Sequence, residues 1–130
     1  MTSTSWGGAI STFGDVAIGH DGKLMCKKFE FSTLGLTIDS AVELLNIPHP
    51  DYIKMDVDGI EHFILSGGND VLNSVKGVLI EINDDFTVQA DNCFKLLSNA
   101  GLKLQVKKHS DLFEGKDSLF KNCFNQIWIR

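Results

Sequence analysis

The middle of the chain reads Tyr52-Ile53-Lys54-Met55-Asp56-Val57-Asp58-Gly59, and this stretch decides the fold. Its apolar and aromatic residues are typical of a strand, and the Asp-Gly pair is a turn signal that ends it. A second strand is predicted over Val75-Lys76-Gly77-Val78-Leu79-Ile80-Glu81-Ile82. Such a nearly continuous apolar run is typical of a strand covered on both faces, as in parallel α/β sheets. The two stretches together favour the α/β fold class.

Helical patterns alternate with these strands. Apolar residues over 41–45 predict a helix with Asp39 or Ser40 as its N-cap. A longer helix is predicted over residues 88–100, with Gly101 placed to end it. Shorter helical segments are predicted over 60–65 and 70–74, and further strands over 102–106 and 124–129. The order strand–helix–strand–helix–strand–strand predicts a mostly parallel sheet.

Residues 1–130 are predicted to form a single domain, because 130 residues that are 43% apolar can bury one core but not two. Residues 1–35 are the least regular, and we expect them to form an irregular lead-in to an α/β core over residues 36–130. Within the lead-in, His20-Asp21-Gly22 predicts a turn and residues 23–31 predict a short strand.

Composition and charge exclude several classes of protein. The formal net charge is −5 and no stretch is rich in Lys or Arg, so no nucleic-acid partner is expected. A membrane span requires roughly 18 consecutive apolar residues, and no run of that length occurs. The uncharged residues 1–8 do not resemble a signal or transit peptide. Cys26, Cys93 and Cys123 lie far apart, which predicts free thiols in a reducing cytoplasm rather than zinc ligands.

Acidic and amide side chains follow the two central strands. Asp56 closes the first strand, and Glu81 and Asn83 lie at the end of the second. Open α/β sheets bind ligands at the carboxyl ends of their strands, so these oxygens are expected to face one crevice and hold a polar substrate or a divalent cation. The alternative is a structural role, in which Asp58 caps the following helix and Asp84-Asp85 forms a solvated loop.

The D-x-D-G pattern occurs in unrelated protein classes. An EF-hand loop is excluded because Lys54 occupies its first aspartate position and the context is a strand. A phosphatase of the haloacid-dehalogenase type resembles the stretch more closely and would use Asp56 as its nucleophile. The motif of that family continues with Thr, where this chain has Ile60.

The stretch 51–62 as a whole resembles the signature of the FkbM family of S-adenosylmethionine-dependent methyltransferases. Three further segments match in order: Thr37-Ile38-Asp39, Leu65-Ser66-Gly67-Gly68 and Val78-Leu79-Ile80-Glu81-Ile82. The opening from Trp6 to Gly14 is similar to one branch of the family. The resemblance implies an O-methyltransferase that uses S-adenosylmethionine and acts on a hydroxyl of a small-molecule or glycan acceptor.

The sequence also departs from this family. Methyltransferases of this class bind their cofactor through a first strand and a glycine-rich turn, and neither is visible here. The resemblance therefore implies a partial Rossmann-like methyltransferase fold that lacks the first strands and has an antiparallel C-terminal strand. Either the start is truncated or the missing N-terminal half comes from elsewhere, and an uncovered apolar face predicts a homodimer or another partner. The alternative function is a non-catalytic remnant or interaction module.

Residue roles follow from the resemblance only where the motif matches. Asp56 is expected near the transferred methyl group, in contact with cofactor and acceptor. His62 is expected to act as a general base, with a surface or capping histidine as the alternative. Asp58 is expected to contact the cofactor, and no metal ligand is assigned. The residues expected to bind the substrate are Glu61, Glu81 and Asn83.

Overall fold

The computed structural model describes residues 11–109 and 120–130. In chain order, its helices and strands are α1 (Ile38–Leu45), β1 (Tyr52–Met55), α2 (Glu61–Ser66), α3 (Asn69–Leu72), β2 (Gly77–Asn83), α4 (Thr87–Asn99), β3 (Lys103–Lys108) and β4 (Cys123–Ile129). The predicted alternation of strands and helices is confirmed, and the fold class is α/β.

The strands form a four-stranded sheet in the order β1-β2-β4-β3. β1 pairs with β2 in parallel, and β4 pairs antiparallel with both β2 and β3. The predicted antiparallel C-terminal strand is therefore confirmed. The prediction of a mostly parallel sheet is wrong. Because β4 lies between β2 and β3, one strand pair of the described sheet is parallel and two are antiparallel.

The N-cap of helix α1 lies two residues before Asp39, the earlier of its two predicted caps. The N-cap is Thr37, whose side-chain oxygen accepts a hydrogen bond from the Ser40 backbone N–H at 3.1 Å. Asp39 instead caps α3, since its two carboxylate oxygens accept the backbone N–H groups of Asp70 and Val71 at 3.1 and 3.0 Å. The predicted N-cap at Asp39 or Ser40 is wrong, because the Asp39 side chain satisfies donors of another helix.

Helix α4 ends as the sequence predicts. Gly101 adopts φ +82°, a left-handed conformation that costs glycine little. Its N–H donates to the Ser98 carbonyl at 2.9 Å, and the Leu102 N–H donates to the Leu97 carbonyl at 3.1 Å. These two bonds form a Schellman motif, which satisfies the last carbonyls of the helix.

The lead-in between residues 11 and 35 has little regular structure. The turn at His20-Asp21-Gly22 is confirmed, because Gly22 has φ +76° and its N–H donates to the Gly19 carbonyl at 2.9 Å. The strand predicted over 23–31 is wrong, since the only pairing there is an isolated bridge between Ile18 and Leu24. The opening around Trp6-Gly7-Gly8 lies outside the described residues.

One face of the sheet carries the core. The core side chains come from this face and from helices α2, α3 and α4, and include Leu65, Leu72, Ile80, Leu97 and Trp128. On the other face, Tyr52 and Ile127 remain 66% and 37% exposed. The described helices thus bury a single side of the sheet.

The burial of the thiols predicts their reactivity. All three cysteines are free; Cys26 is exposed, whereas Cys93 and Cys123 are buried. Burial raises the pKa of both buried thiols to about 12, so the reactive thiolate is rare at pH 8. We expect Ellman's reagent to modify Cys26 rapidly and the other two only after denaturation. Rapid modification of a Cys26→Ser variant in native buffer would contradict this burial.

Candidate active site

Asp56 and Glu81 lie at one edge of the sheet. β1 and β2 are parallel neighbours in which Met55 is the partner of Ile80, so the next residues lie side by side: Asp56 directly follows β1, and Glu81 is still part of β2. The structure therefore confirms the shared edge that the sequence predicts. The Asp56 carboxylate also forms a solvent-exposed ion pair with Lys54 Nζ at 3.1 Å.

The charges at this edge influence one another. The pKa of Glu81 is raised above its usual value, first because the side chain is half-buried and then because Asp56, Glu61 and Asp58 carry negative charge nearby. Lys54 opposes the shift. The edge is thus an acidic surface that favours cationic groups and hydrogen-bond donors.

An Asp56→Asn variant tests the proximity of these carboxylates. Because the substitution removes a negative charge beside Glu81, we expect the pKa of Glu81 to fall towards its ordinary value of 4.5. A pH titration of the Glu81 carboxyl carbon by NMR measures the change. Asp51→Asn is the matched control, since Asp51 precedes β1 at its other end and pairs with Lys76. An equal fall in both variants would mean that Asp56 is not the relevant neighbour.

The loop after β1 is packed tightly against the lead-in. Asp58 adopts φ +59° and Gly59 adopts φ +114°. A Cβ atom added at Gly59 would lie 2.5 Å from the Gly19 carbonyl oxygen, so only glycine allows this approach. The half-buried Asp58 is therefore held between β1 and the turn at residues 19–22.

A buried carboxylate organises this loop from inside. Glu61, 2% exposed, accepts hydrogen bonds from the backbone N–H groups of Val57 at 3.2 Å and Gly59 at 3.0 Å. The alternative that Asp58 caps α2 is wrong, because Ile60 occupies the N-cap position and makes no side-chain cap bond. Glu61, rather than Asp58, therefore accepts the hydrogen bonds of the N–H groups in this loop.

Gln89 extends this network to the second strand. Its side-chain N–H donates to Glu61 Oε2, and its oxygen accepts the Asn83 backbone N–H at 3.0 Å. Asn83 Nδ2 in turn donates to the His20 carbonyl at 2.9 Å. Glu61, Gln89 and Asn83, which we call the buried clasp, thus join the carboxyl ends of β1 and β2 to the lead-in.

The clasp changes the roles expected for two of its members. The sequence predicts substrate contacts for Glu61 and Asn83, but both side chains are buried and hydrogen-bonded inside the protein. Their placement corresponds to positioning of the loop rather than direct contact with a substrate. The half-buried Glu81 and the exposed Asp56 remain open to a ligand at the edge.

His62 is more enclosed than a surface histidine. The ring is 6% exposed and lies 4.0 Å from the Phe63 ring and 5.7 Å from the Phe86 ring, between centroids. Burial lowers its pKa, which favours the neutral form that can accept a proton. Its Nδ1 atom is buried and has no hydrogen-bond partner among the described residues. A role as general base stays a prediction.

The acidic pair after β2 does not form a merely solvated loop. Lys107 Nζ donates to Asp84 Oδ2 at 2.6 Å, and Asn122 Nδ2 donates to Asp85 Oδ2 at 2.8 Å. These partners belong to β3 and to the segment before β4. The pair therefore ties the end of β2 to the C-terminal part of the sheet.

Gln89 is the residue of this region that the sequence analysis missed. It lies four residues before Cys93 and eight before Leu97, and all three are buried on one face of α4. A glutamine in register with a buried apolar stripe is the signal that could have identified it, because buried polar groups require partners.

Neither a metal centre nor a membrane-spanning helix is present in the described ranges. Within residues 11–109 and 120–130, no group of three or more His, Cys, Asp or Glu side chains is arranged to hold a metal ion. The helices described there are all too short or too polar to cross a bilayer.

Comparison with known proteins identifies the class. The methyltransferase FkbM domain family matches residues 35–104, more than half of the chain, so the chain belongs to this family. Hexuronic acid methyltransferase AglP of Haloferax volcanii is 37% identical over 70 residues, which cover 54% of this chain. The aligned region spans only 28% of the length of that relative. No solved structure gives a significant match.

Proposed function

We propose that the chain forms part of an S-adenosylmethionine-dependent methyltransferase that acts on a hydroxyl oxygen of a sugar or small metabolite. The observation that carries this proposal is the shared acidic edge of Asp56 and Glu81, which lies inside the family match. The relative named for hexuronic acid supports a sugar as the acceptor class.

The acidic edge fits one part of the cofactor. S-adenosylmethionine carries a sulfonium cation, which Asp56 and Asp58 would hold by charge attraction. When bound, the cofactor supplies an electrophilic methyl group. The chain has no Gly-x-Gly motif to approach the rest of the cofactor. We propose that those contacts come from an N-terminal half or a second copy, joined at the exposed face that carries Tyr52 and Ile127.

In this proposal, positioning of the acceptor is the main contribution of the chain. Methyl transfer to oxygen requires an in-line approach, so the acceptor hydroxyl must be held in one orientation. Asp56, whose carboxylate pairs with Lys54 at 3.1 Å, accepts a hydrogen bond from an acceptor hydroxyl next to the reacting one. Glu81 binds a neighbouring hydroxyl, and the neutral His62 takes the proton that is released.

The first test is direct binding, followed by turnover. We expect isothermal titration of the purified full chain with S-adenosylmethionine to show saturable binding. Transfer of a tritiated methyl group to a panel of hexoses and hexuronic acids should fall about a hundredfold in Asp56→Asn, because the hydroxyl loses its orienting acceptor. The Asp51→Asn control should keep its activity.

Other outcomes would select the alternative functions. If the full chain binds no S-adenosylmethionine at millimolar concentration, the stand-alone enzyme fails, and either a half supplied by another chain or a non-catalytic interaction module takes its place. Turnover of p-nitrophenyl phosphate that is lost in Asp56→Asn would instead support the D-x-D-G phosphatase.

A further inference from the structure

A cleft of about 670 Å³ lies beside the loop that follows β1. Its walls come from the lead-in, from the segment that precedes α1 and from helix α2. A volume of this size holds a small organic molecule. The cleft does not include the carboxylates of the acidic edge, so it is a separate feature of the surface.

The cleft walls are apolar although they face solvent. Phe13, Val16, Leu36 and Phe63 line it, and each side chain is between 41% and 59% exposed. Contact with a ligand would bury these four side chains, and the burial of apolar surface lowers the free energy of the complex. The lining therefore fits an aromatic or alkyl group.

Close backbone contacts shape these walls. A Cβ atom added at Gly35 would lie 2.4 Å from the Phe13 ring, and one at Gly67 would lie 2.9 Å from the Thr37 side chain. The Asp39 N–H also donates to the Gly67 carbonyl at 3.1 Å, which joins α1 to the end of α2. The ring of Phe13 is thus held against the backbone at one side of the cleft.

The charge of the cleft restricts its occupant further. Among the lining residues in the described ranges, Asp15 is the single ionisable side chain, and it is exposed. No basic side chain that could compensate an anion belongs to the described lining residues. An anionic group is therefore disfavoured here, whereas an uncharged group is accepted.

The cleft adjoins the loop after β1 through Ile60 and the His62 ring through Phe63. Ile60 lines it and directly follows Gly59, whose N–H the Glu61 carboxylate holds. Phe63 lines it as well and contacts the His62 ring at 4.0 Å between centroids. A molecule with an apolar group in the cleft would therefore extend its polar end towards the loop after β1.

We infer that the cleft binds an uncharged aryl or alkyl group attached to the methyl acceptor. This inference rests on the proposed function and narrows its substrate class, from any sugar or metabolite to one that carries an apolar substituent. The acidic edge receives the hydroxyl groups, and the cleft receives the apolar group.

Saturation-transfer NMR on the full chain tests this inference with two matched probes. Phenyl β-D-glucopyranoside should bind at least about tenfold more tightly than methyl β-D-glucopyranoside, the factor expected for burial of one aromatic ring. Phe63→Ser and Val16→Ser should each remove most of this preference. Leu44→Ser is the control, because Leu44 is an exposed residue of α1 outside the cleft.

The outcomes separate this inference from the proposed function. Equal binding of both glycosides, or a phenyl preference that survives Phe63→Ser, would overturn the proposed role of the cleft. The proposal of methyl transfer would be unaffected by that result. Displacement of the phenyl glycoside by adenosine would also overturn the proposed role of the cleft, since the cleft would then hold part of the cofactor. A phenyl preference that Phe63→Ser removes supports the cleft even if no methyl transfer is detected.

Discussion

A Glu61→Ala variant is expected to lose about 3 kcal/mol of unfolding free energy, because each buried hydrogen-bonding group left without a partner costs about 1–3 kcal/mol. The substitution leaves the N–H groups of Val57 and Gly59 and the Gln89 amide without their acceptor. Relief of carboxylate burial offsets part of the loss. Urea denaturation followed by circular dichroism measures the change.

Two further variants give this prediction its controls. Glu43→Ala changes an exposed glutamate of α1 and should alter the unfolding free energy by less than about 0.5 kcal/mol. Glu61→Gln keeps the shape but places an amide N–H group against the donors of the loop, so we expect an intermediate loss. Wild-type stability in Glu61→Ala would mean that the buried clasp does not hold the loop.

The clasp also predicts how stability depends on pH. Burial raises the pKa of Glu61 above its ordinary value of 4.5, so the folded chain binds a proton at higher pH than the unfolded chain. The part of the stability that comes from this proton uptake is therefore present at low pH and is lost as the pH rises through the raised pKa. In Glu61→Gln this part of the pH dependence should be missing.

A Trp128→Ala variant is expected to lose about 4 kcal/mol, in the range measured for truncation of buried aromatic residues. Trp128 is 1% exposed and packs edge-on against Phe94 with centroids 5.5 Å apart. Its Nε1 donates to Gln126 Oε1 at 3.0 Å, so truncation creates a cavity and also leaves a buried amide without a donor. Thermal unfolding of both proteins gives the difference.

Trp128→Phe separates the two contributions. The phenylalanine ring fills most of the space but cannot donate to Gln126, so we expect a loss of about 1–2 kcal/mol. A loss below about 1 kcal/mol in Trp128→Ala would show that the centre of the sheet is not packed as described.

Most of the fold could be predicted because its signals are local. The apolar runs of β1 and β2 and the glycine that ends α4 each lie within a few residues of the element they determine. The insertion of β4 between β2 and β3 depends on pairing between distant strands, which no local pattern specifies. The cap of α1 was mistaken for a similar reason, since Asp39 bonds to Val71, 32 residues away.

The candidate site, like the fold, could be predicted from the sequence only in part. The shared edge of Asp56 and Glu81 could be predicted because neighbouring parallel strands end on one side of a sheet. The burial of Glu61 and Asn83 could not, because their partners Gln89 and His20 lie 28 and 63 residues away. Only the folded structure shows that these side chains already have hydrogen-bond partners within the protein.

β1 is an outer strand of the described sheet, so we expect Asp56, which follows it, to be more mobile than Glu81, which lies in the inner strand β2. β1 has a hydrogen-bonded neighbour on one side, whereas β2 has one on each side. Amide hydrogen exchange should therefore be slow throughout β2 but fast at every second residue of β1, whose N–H groups point away from β2. Asp56 thus follows a strand that opens readily, while Glu81 belongs to one that stays closed, and local opening would change the gap between them from the Asp56 side.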